Sequence, residues 1–146
     1  MTIADLSTKY TCSEFKIDNY CVPAPQLGAW LHETESITRS YNNSGGTFIS
    51  VIIANKDKFN WAYSVISLED MRVLDAYIKA KLSAGTNSFQ VTSWTPDRGY
   101  ITKRCYVGVP IQVTPVTVIN ETAQTGYFKF EYHWIQIEGH KSLANG

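Results

Sequence analysis

The sequence predicts a mainly β fold of the α+β kind: an antiparallel β-sandwich or barrel with one flanking α-helix, about 67–83, and a long protruding β-hairpin. Three observations carry this reading. Stretches rich in Val, Ile, Thr, Tyr, Phe and Trp alternate with turn residues along most of the 146-residue chain. Only Ser67–Gly85 shows a convincing helical period. Strands joined by tight turns favour antiparallel pairing, with the helix covering one side.

The length and apolar content suit one domain over 1–146 with a real core. Residues 1–13 carry little periodicity and are expected, with 139–146, to be loose termini or arms. The formal net charge is zero, so no basic excess advertises a nucleic-acid partner. The apolar runs are too short to span a membrane as a helix, and the first ten residues lack the basic start and apolar core of a secretory signal.

In chain order, E14-F-K-I-D-N-Y-C-V22 reads as two short strands around Asp18-Asn19, a two-residue turn. Pro23 and Pro25 end the second strand, since neither can donate to a ladder. Leu27–Tyr41 is long and extended. Thr34, Ser36, Thr38 and Ser40 lie on one side; Glu33, Glu35, Ile37, Arg39 and Tyr41 lie on the other. Neither side of its later half suits a dry core. N42-N-S-G-G46 is a tip, and T47-F-I-S-V-I-I-A54 is β-prone and apolar on both faces. Lys56-Asp57-Lys58 is expected to break that strand. F59-N-W-A-Y-S-V-I66 then resumes, with Phe59, Trp61, Tyr63 and Val65 on one face.

The helix follows. Ser67 is its N-cap, and Asp70, three residues on, would complete a capping box. Leu68, Met71, Leu74, Ile78 and Leu82 form one apolar stripe, and Gly85 supplies a left-handed stop. S88-F-Q-V-T-S-W-T95 and Y100-I-T-K-R-C-Y-V107 form a hairpin around Pro96-Asp97-Arg98-Gly99. Pro110 and Pro115 bracket I-Q-V-T, V116-T-V-I119 follows, N120-E-T-A-Q-T-G126 is a polar turn, and Y127-F-K-F-E-Y-H-W-I-Q-I-E138 closes the fold on an aromatic face.

Little in the chain points to chemistry. The odd set Cys12, Cys21 and Cys105 lacks metal spacing. A Cys12–Cys21 bridge is weighed against three reduced, partly buried thiols, and the second is favoured. His32, His133 and His140 are scattered, and Glu131 beside His133 is too little for a metal centre, so no metal or cofactor is expected. Glu33 and Glu35, about 7 Å apart on one strand face, have the spacing of paired acid/base carboxylates, but a charged surface explains them better. Nucleotide-binding and nucleophile-elbow motifs are absent, so an enzyme is not expected. Trp30, Trp61, Trp94 and Trp134 could supply a stacking platform for sugars or bases; core and interface are the commoner use of strand aromatics.

Lys58–Gly108 resembles small tail proteins of phages that infect Gram-positive bacteria. The shared pattern is an aromatic strand, a helix opening S67-L-E-D-M71, the turn P96-D-R-G99 and the strand T102-K-R-C-Y-V-G108; G28-A-W-L31 is similar too. The resemblance implies a tail-tube-like fold related to tail-tube and distal-tail (baseplate hub) subunits. It implies a virion protein, made in the host bacterial cytoplasm, that forms a homo-oligomeric ring, hexameric in the family. Other tail proteins would be partners, and DNA would be cargo in the channel without membrane insertion. On this reading Ile37, Arg39, Tyr41, Phe48, Ile49, Val51 and Ile53 belong to an inter-subunit hairpin, and Thr34, Ser36, Thr38 and Ser40 face the channel. A tail terminator, a head–tail connector or a carbohydrate-binding β-sandwich at the tail tip are the alternatives.

Overall fold

The computed structural model describes residues 2–25, 30–42 and 44–137. It is mainly β. Two helices, α1 (Ile3–Lys9) and α2 (Leu68–Ser83), accompany seven strands: β1 (Lys16–Ile17), β2 (Tyr20–Cys21), β3 (His32–Asn42), β4 (Phe48–Ser67), β5 (Phe89–Thr95), β6 (Gly99–Pro115) and β7 (Tyr127–Gln136). All pair antiparallel in one sheet, in the order β2-β1-β5-β6-β7-β4-β3. The described strands all belong to one hydrogen-bonded sheet, and that sheet is not closed into a barrel.

Two strands expected to break continue instead. β4 runs straight through Lys56-Asp57-Lys58. Asp57 is fully buried there, with its charge matched by Arg98 from the turn between β5 and β6. β6 likewise passes Pro110, absorbing it in a register shift between Gly108 and Gln112; proline cannot donate to the ladder and is tolerated where pairing is irregular. V116-T-V-I119 lies outside the strands, and Val118 is 91 % exposed.

The short turns obey their residues. Asp18 and Asn19 both take positive φ, which a two-residue hairpin requires. Gly99 does so at φ 70 to close the β5–β6 hairpin.

The core lies where β4, β6 and β7 meet α2. Register sets Phe59 opposite Trp134, Trp61 opposite Tyr132 and Tyr63 opposite Phe130. All six rings are buried, and Trp61 and Trp134 meet edge to face at 5.8 Å. A second register shift between Tyr63 and Ile66 turns Ser64 and Val65 outward and returns Ile66 to the core. At Gly108 the backbone passes so close to His133 that an added Cβ would stand 2.4 Å from the ring.

α2 is the long helix the sequence predicts. Ser67 Oγ accepts from Asp70 N–H at 3.3 Å, while Leu68, Met71, Leu74 and Ile78 are buried. The stop is Ala84 as C-cap with Gly85 at φ 83. The Asp70 carboxylate does not complete a capping box; it accepts from Lys9 Nζ at 2.9 Å and from the Tyr10 hydroxyl. That pair of bonds corrects the expectation of a loose N-terminus. Residues 3–9 are a helix with a full Thr2/Asp5 capping box, and Leu6 is completely buried. Residues 139–146 lie outside the described residues.

A second tie joins the β1–β2 hairpin to α2 and β5. Asp18 accepts from the Tyr77 hydroxyl at 2.6 Å, from Lys81 Nζ at 2.8 Å and from Gln90 N–H at 2.8 Å. Burial opposes its ionisation, but these donors outweigh it and hold the carboxyl below its ordinary range.

Candidate assembly arm and its buried root

β3 and β4 form a hairpin that outruns the rest of the sheet. β7 pairs with β4 only from Lys58 onward, whereas β3 pairs with it from Phe59 down to Phe48. Over Phe48–Ala54 the other edge of β4 carries no strand partner among the described residues, and β3 is the last strand of the sheet. The chain reverses at Ser44–Gly46, where Gly46 adopts φ 81. At 3.2–3.4 Å per residue, the ten or so residues beyond Asp57 make a two-stranded arm of roughly 30 Å. The register shifts once, between Ile37 and Thr38, so Ile37 stands opposite Ala54 and Thr38 opposite Ile52. Ile53 is the extra residue, a bulge that raises the local twist.

A buried polar cluster sits at the arm's root. Arg98, from the β5–β6 turn, grips Asp57 through both terminal nitrogens, at 2.6 Å and 3.1 Å. His32 Nε2 lies 2.7 Å from the same carboxylate, and Asp57 N–H donates to Gln136 Oε1 at 3.1 Å. Ser36 donates to Asn55 Oδ1 at 2.7 Å, and Asn55 is itself buried. Burial alone would raise the pKa of Asp57; hydrogen bonds from His32 and Arg98 overcome it and hold the carboxyl well below the usual carboxylate range. The bidentate guanidinium fixes direction as well as charge. The cluster therefore clamps β3, β4, β7 and the β5–β6 turn together where the arm leaves the body. Cys105 lies in the same region of field: burial, then the Asp57 charge, push its thiol up to about 12.

The predicted hairpin residues fall on the arm's backbone. Arg39 pairs with Val51, Tyr41 with Ile49 and Asn42 with Phe48. The side chains of Ile37, Arg39, Tyr41, Phe48, Ile49, Val51 and Ile53, and of Thr38 and Ser40, lie outside the described residues. Thr34 and Ser36, two of the predicted channel-facing residues, sit at the root. Thr34 is the register partner of Asp57, and the exposed Ser36 commits its hydroxyl to Asn55. Glu35 bridges Lys58 at 2.9 Å across the ladder, and Glu33 is exposed. Trp61 and Trp134 are core residues; Trp30 and Trp94 are 47 % and 40 % exposed. No group of three or more His, Cys, Asp or Glu that could hold a metal occurs among the described residues. No helix among them is long and apolar enough to cross a membrane.

The clamp itself was missed in the sequence. K-D-K reads as a break because charge is costly inside a strand. Only the long-range register, which brings His32 and Arg98 to Asp57, shows that the middle charge is paired. No family model matches the chain, and no curated protein or solved structure matches it.

Proposed function

We propose that this chain is a structural subunit of a phage or phage-like tail, assembling through the β3–β4 arm into a ring as a tail-tube or distal-tail component. The observation that supports the reading best is the arm: a long hairpin that, among the described residues, has no strand on either outer edge and is locked at its base by the Asp57–Arg98 pair. Open edges of this length invite pairing with another chain. Closing copies into a ring removes them. The arm's second strand, T47-F-I-S-V-I-I-A54, is apolar at nearly every position, which suits a neighbour rather than water. The rigid root matters because a ring closes only if every copy presents its arm at the same angle.

The test replaces Ile49 and Val51 with Asp and measures mass by light scattering alongside a thermal melt. The expected result is a folded monomer beside a wild type that forms discrete oligomers. A wild type that stays monomeric at high concentration, with the arm amides already protected from exchange, overturns the reading.

One observation favours a second reading, a carbohydrate-binding module at a tail tip. Trp94 and Tyr100 are cross-strand partners and are both exposed, at 40 % and 45 %. Quenching of tryptophan fluorescence by oligosaccharide, abolished in Trp94→Ala, would support it.

A further inference from the structure

We infer that the groove beside Tyr100, on the outer face of β2, β1, β5 and β6, binds a neutral pyranose sugar, with Tyr100 as its aromatic wall and Lys16 and Glu14 as its polar groups. The inference deepens the carbohydrate reading raised above and rests on it.

Strand register builds the site. Cys21, Lys16, Thr92 and Thr102 are successive cross-strand partners, so they form one row across four strands. Trp94 and Tyr100, partners of each other, stand two residues along from Thr92 and Thr102, and side chains two apart share a face. Burial on β5 agrees: Phe89, Val91, Ser93 and Thr95 are buried, while Gln90, Thr92 and Trp94 alternate with them on the outer side. With residues 11–14 this face forms a groove of about 410 Å³, whose lining includes Cys12, Glu14, Lys16, Cys21, Thr92 and Tyr100. That volume is in the range of small-molecule sites. Trp94 extends the aromatic surface past the end of the groove.

The platform is fixed before a ligand arrives. Phe15 is buried against Trp61 and meets the Tyr100 ring edge to face at 5.4 Å. A ring held by the core spends little ordering entropy on binding. Its flat face suits the C–H face of a pyranose, which is apolar although the rim of the sugar is not.

The polar groups select the ligand. Lys16 and Glu14 line the same groove, and neither makes an ion pair among the described residues. An ammonium only donates and a carboxylate only accepts, whereas a hydroxyl does both. Neighbouring hydroxyls of one sugar therefore answer both groups at once. An anion would answer Lys16 and be repelled by Glu14; an apolar ligand would answer neither. Thr92 and Thr102 share a 2.8 Å bond between their hydroxyls, and the hydroxyl that accepts still has a proton to give. The groove lies toward the β2 edge of the sheet and the arm at the β3 edge, so the two surfaces do not compete within one chain.

The groove carries its own reporter. Cys12 is exposed in its wall, while Cys105 is buried. The test measures tryptophan fluorescence and the rate of Cys12 alkylation by iodoacetamide, located by peptide mass, with four probes: maltotriose, cellotriose, triacetylchitotriose and trigalacturonate. At least one of the neutral trisaccharides is expected to quench the fluorescence and slow the alkylation severalfold, with trigalacturonate binding at least about tenfold more weakly. Lys16→Met and Glu14→Ala should each weaken that sugar about tenfold at an unchanged melting temperature, and Tyr100→Ala should abolish its binding. If a variant does not keep the wild-type melting temperature, protection of Cys12 in the wild type decides. Quenching that depends on Trp94 but leaves Cys12 alkylation unchanged puts the sugar on the rings outside the groove; the inference then falls and the carbohydrate reading stands. Trigalacturonate binding as tightly as the neutral sugars overturns the neutral ligand. Binding by none of the four overturns both.

Discussion

The two halves of β4 are chemically alike and are used differently. Phe59–Ile66 pairs with β7 and lies under α2, and its rings pack against Trp134, Tyr132 and Phe130. Phe48–Ala54 is as apolar in sequence, yet its one strand partner among the described residues is β3. Apolar composition therefore does not decide which strands a segment pairs with. One continuous strand carries a core at one end and an arm at the other, and the buried ion pair marks the change.

The largest effect should come from the body. Trp134→Ala removes the ring that Trp61, Phe89 and Tyr132 all touch. It is expected to cost about 3–5 kcal/mol in urea unfolding. If the arm were an independent unit, its amide protection would survive this substitution; it is expected to fall together with that of the body.

Arg98→Met attacks the boundary between the halves. It leaves the fully buried Asp57 without its bidentate guanidinium, and should destabilise by roughly 3 kcal/mol. The double variant Asp57→Leu, Arg98→Met should recover much of that stability. Its arm should exchange faster than wild type, because no bidentate contact fixes it. Full stability together with unchanged exchange in the single variant would show that the clamp does not hold the arm.

Acid should loosen the same boundary. The carboxyl of Asp57 is depressed in the folded chain, so the stability it contributes is complete above its unfolded value, about 3.9. That stability drains as the pH falls toward the lower folded value. The stability gap between wild type and Asp57→Asn should be constant near neutrality and narrow between about pH 4 and pH 2. A gap that stays constant throughout would mean the carboxylate is not favoured by its partners.

The smallest effect belongs to a local device. Ser67→Ala deletes the N-cap of α2 and should cost about 1 kcal/mol without altering exchange in the arm.

How much of this was legible in the sequence depends on how local the cause is. The cap at Ser67, the stripe through Leu74 and Ile78, and the turns at Asp18-Asn19 and Gly99 are set by neighbours within a few residues, and the structure has them where the sequence puts them. α1 was not legible because seven residues show too little period; Leu6 is secured by contacts the chain makes far away, and Lys9 and Tyr10 by Asp70. The root failed for the same reason in stronger form. His32, Asp57, Arg98 and Gln136 carry no mutual spacing, and only the pairing of strands assembles them. The stretch after Pro115 was left open by its sequence: its residues favour strand, but among the described residues the backbone bonds of Val116 and Thr117 go to Tyr127 alone and Val116–Ile119 forms no strand.

The unbroken course of β4 has a mechanical consequence. A pull on the arm along its length is delivered to the body as shear across the β4–β7 ladder, where many hydrogen bonds share the load at once. A hinge at Lys56–Lys58 would have turned the same pull into peeling, with bonds failing one after another. The bidentate Arg98 contact to Asp57 stands on β4 where the load passes from the arm to the β4–β7 ladder, and resists the sideways component. In an assembly joined through such arms, tension between subunits would be borne by the aromatic core of each.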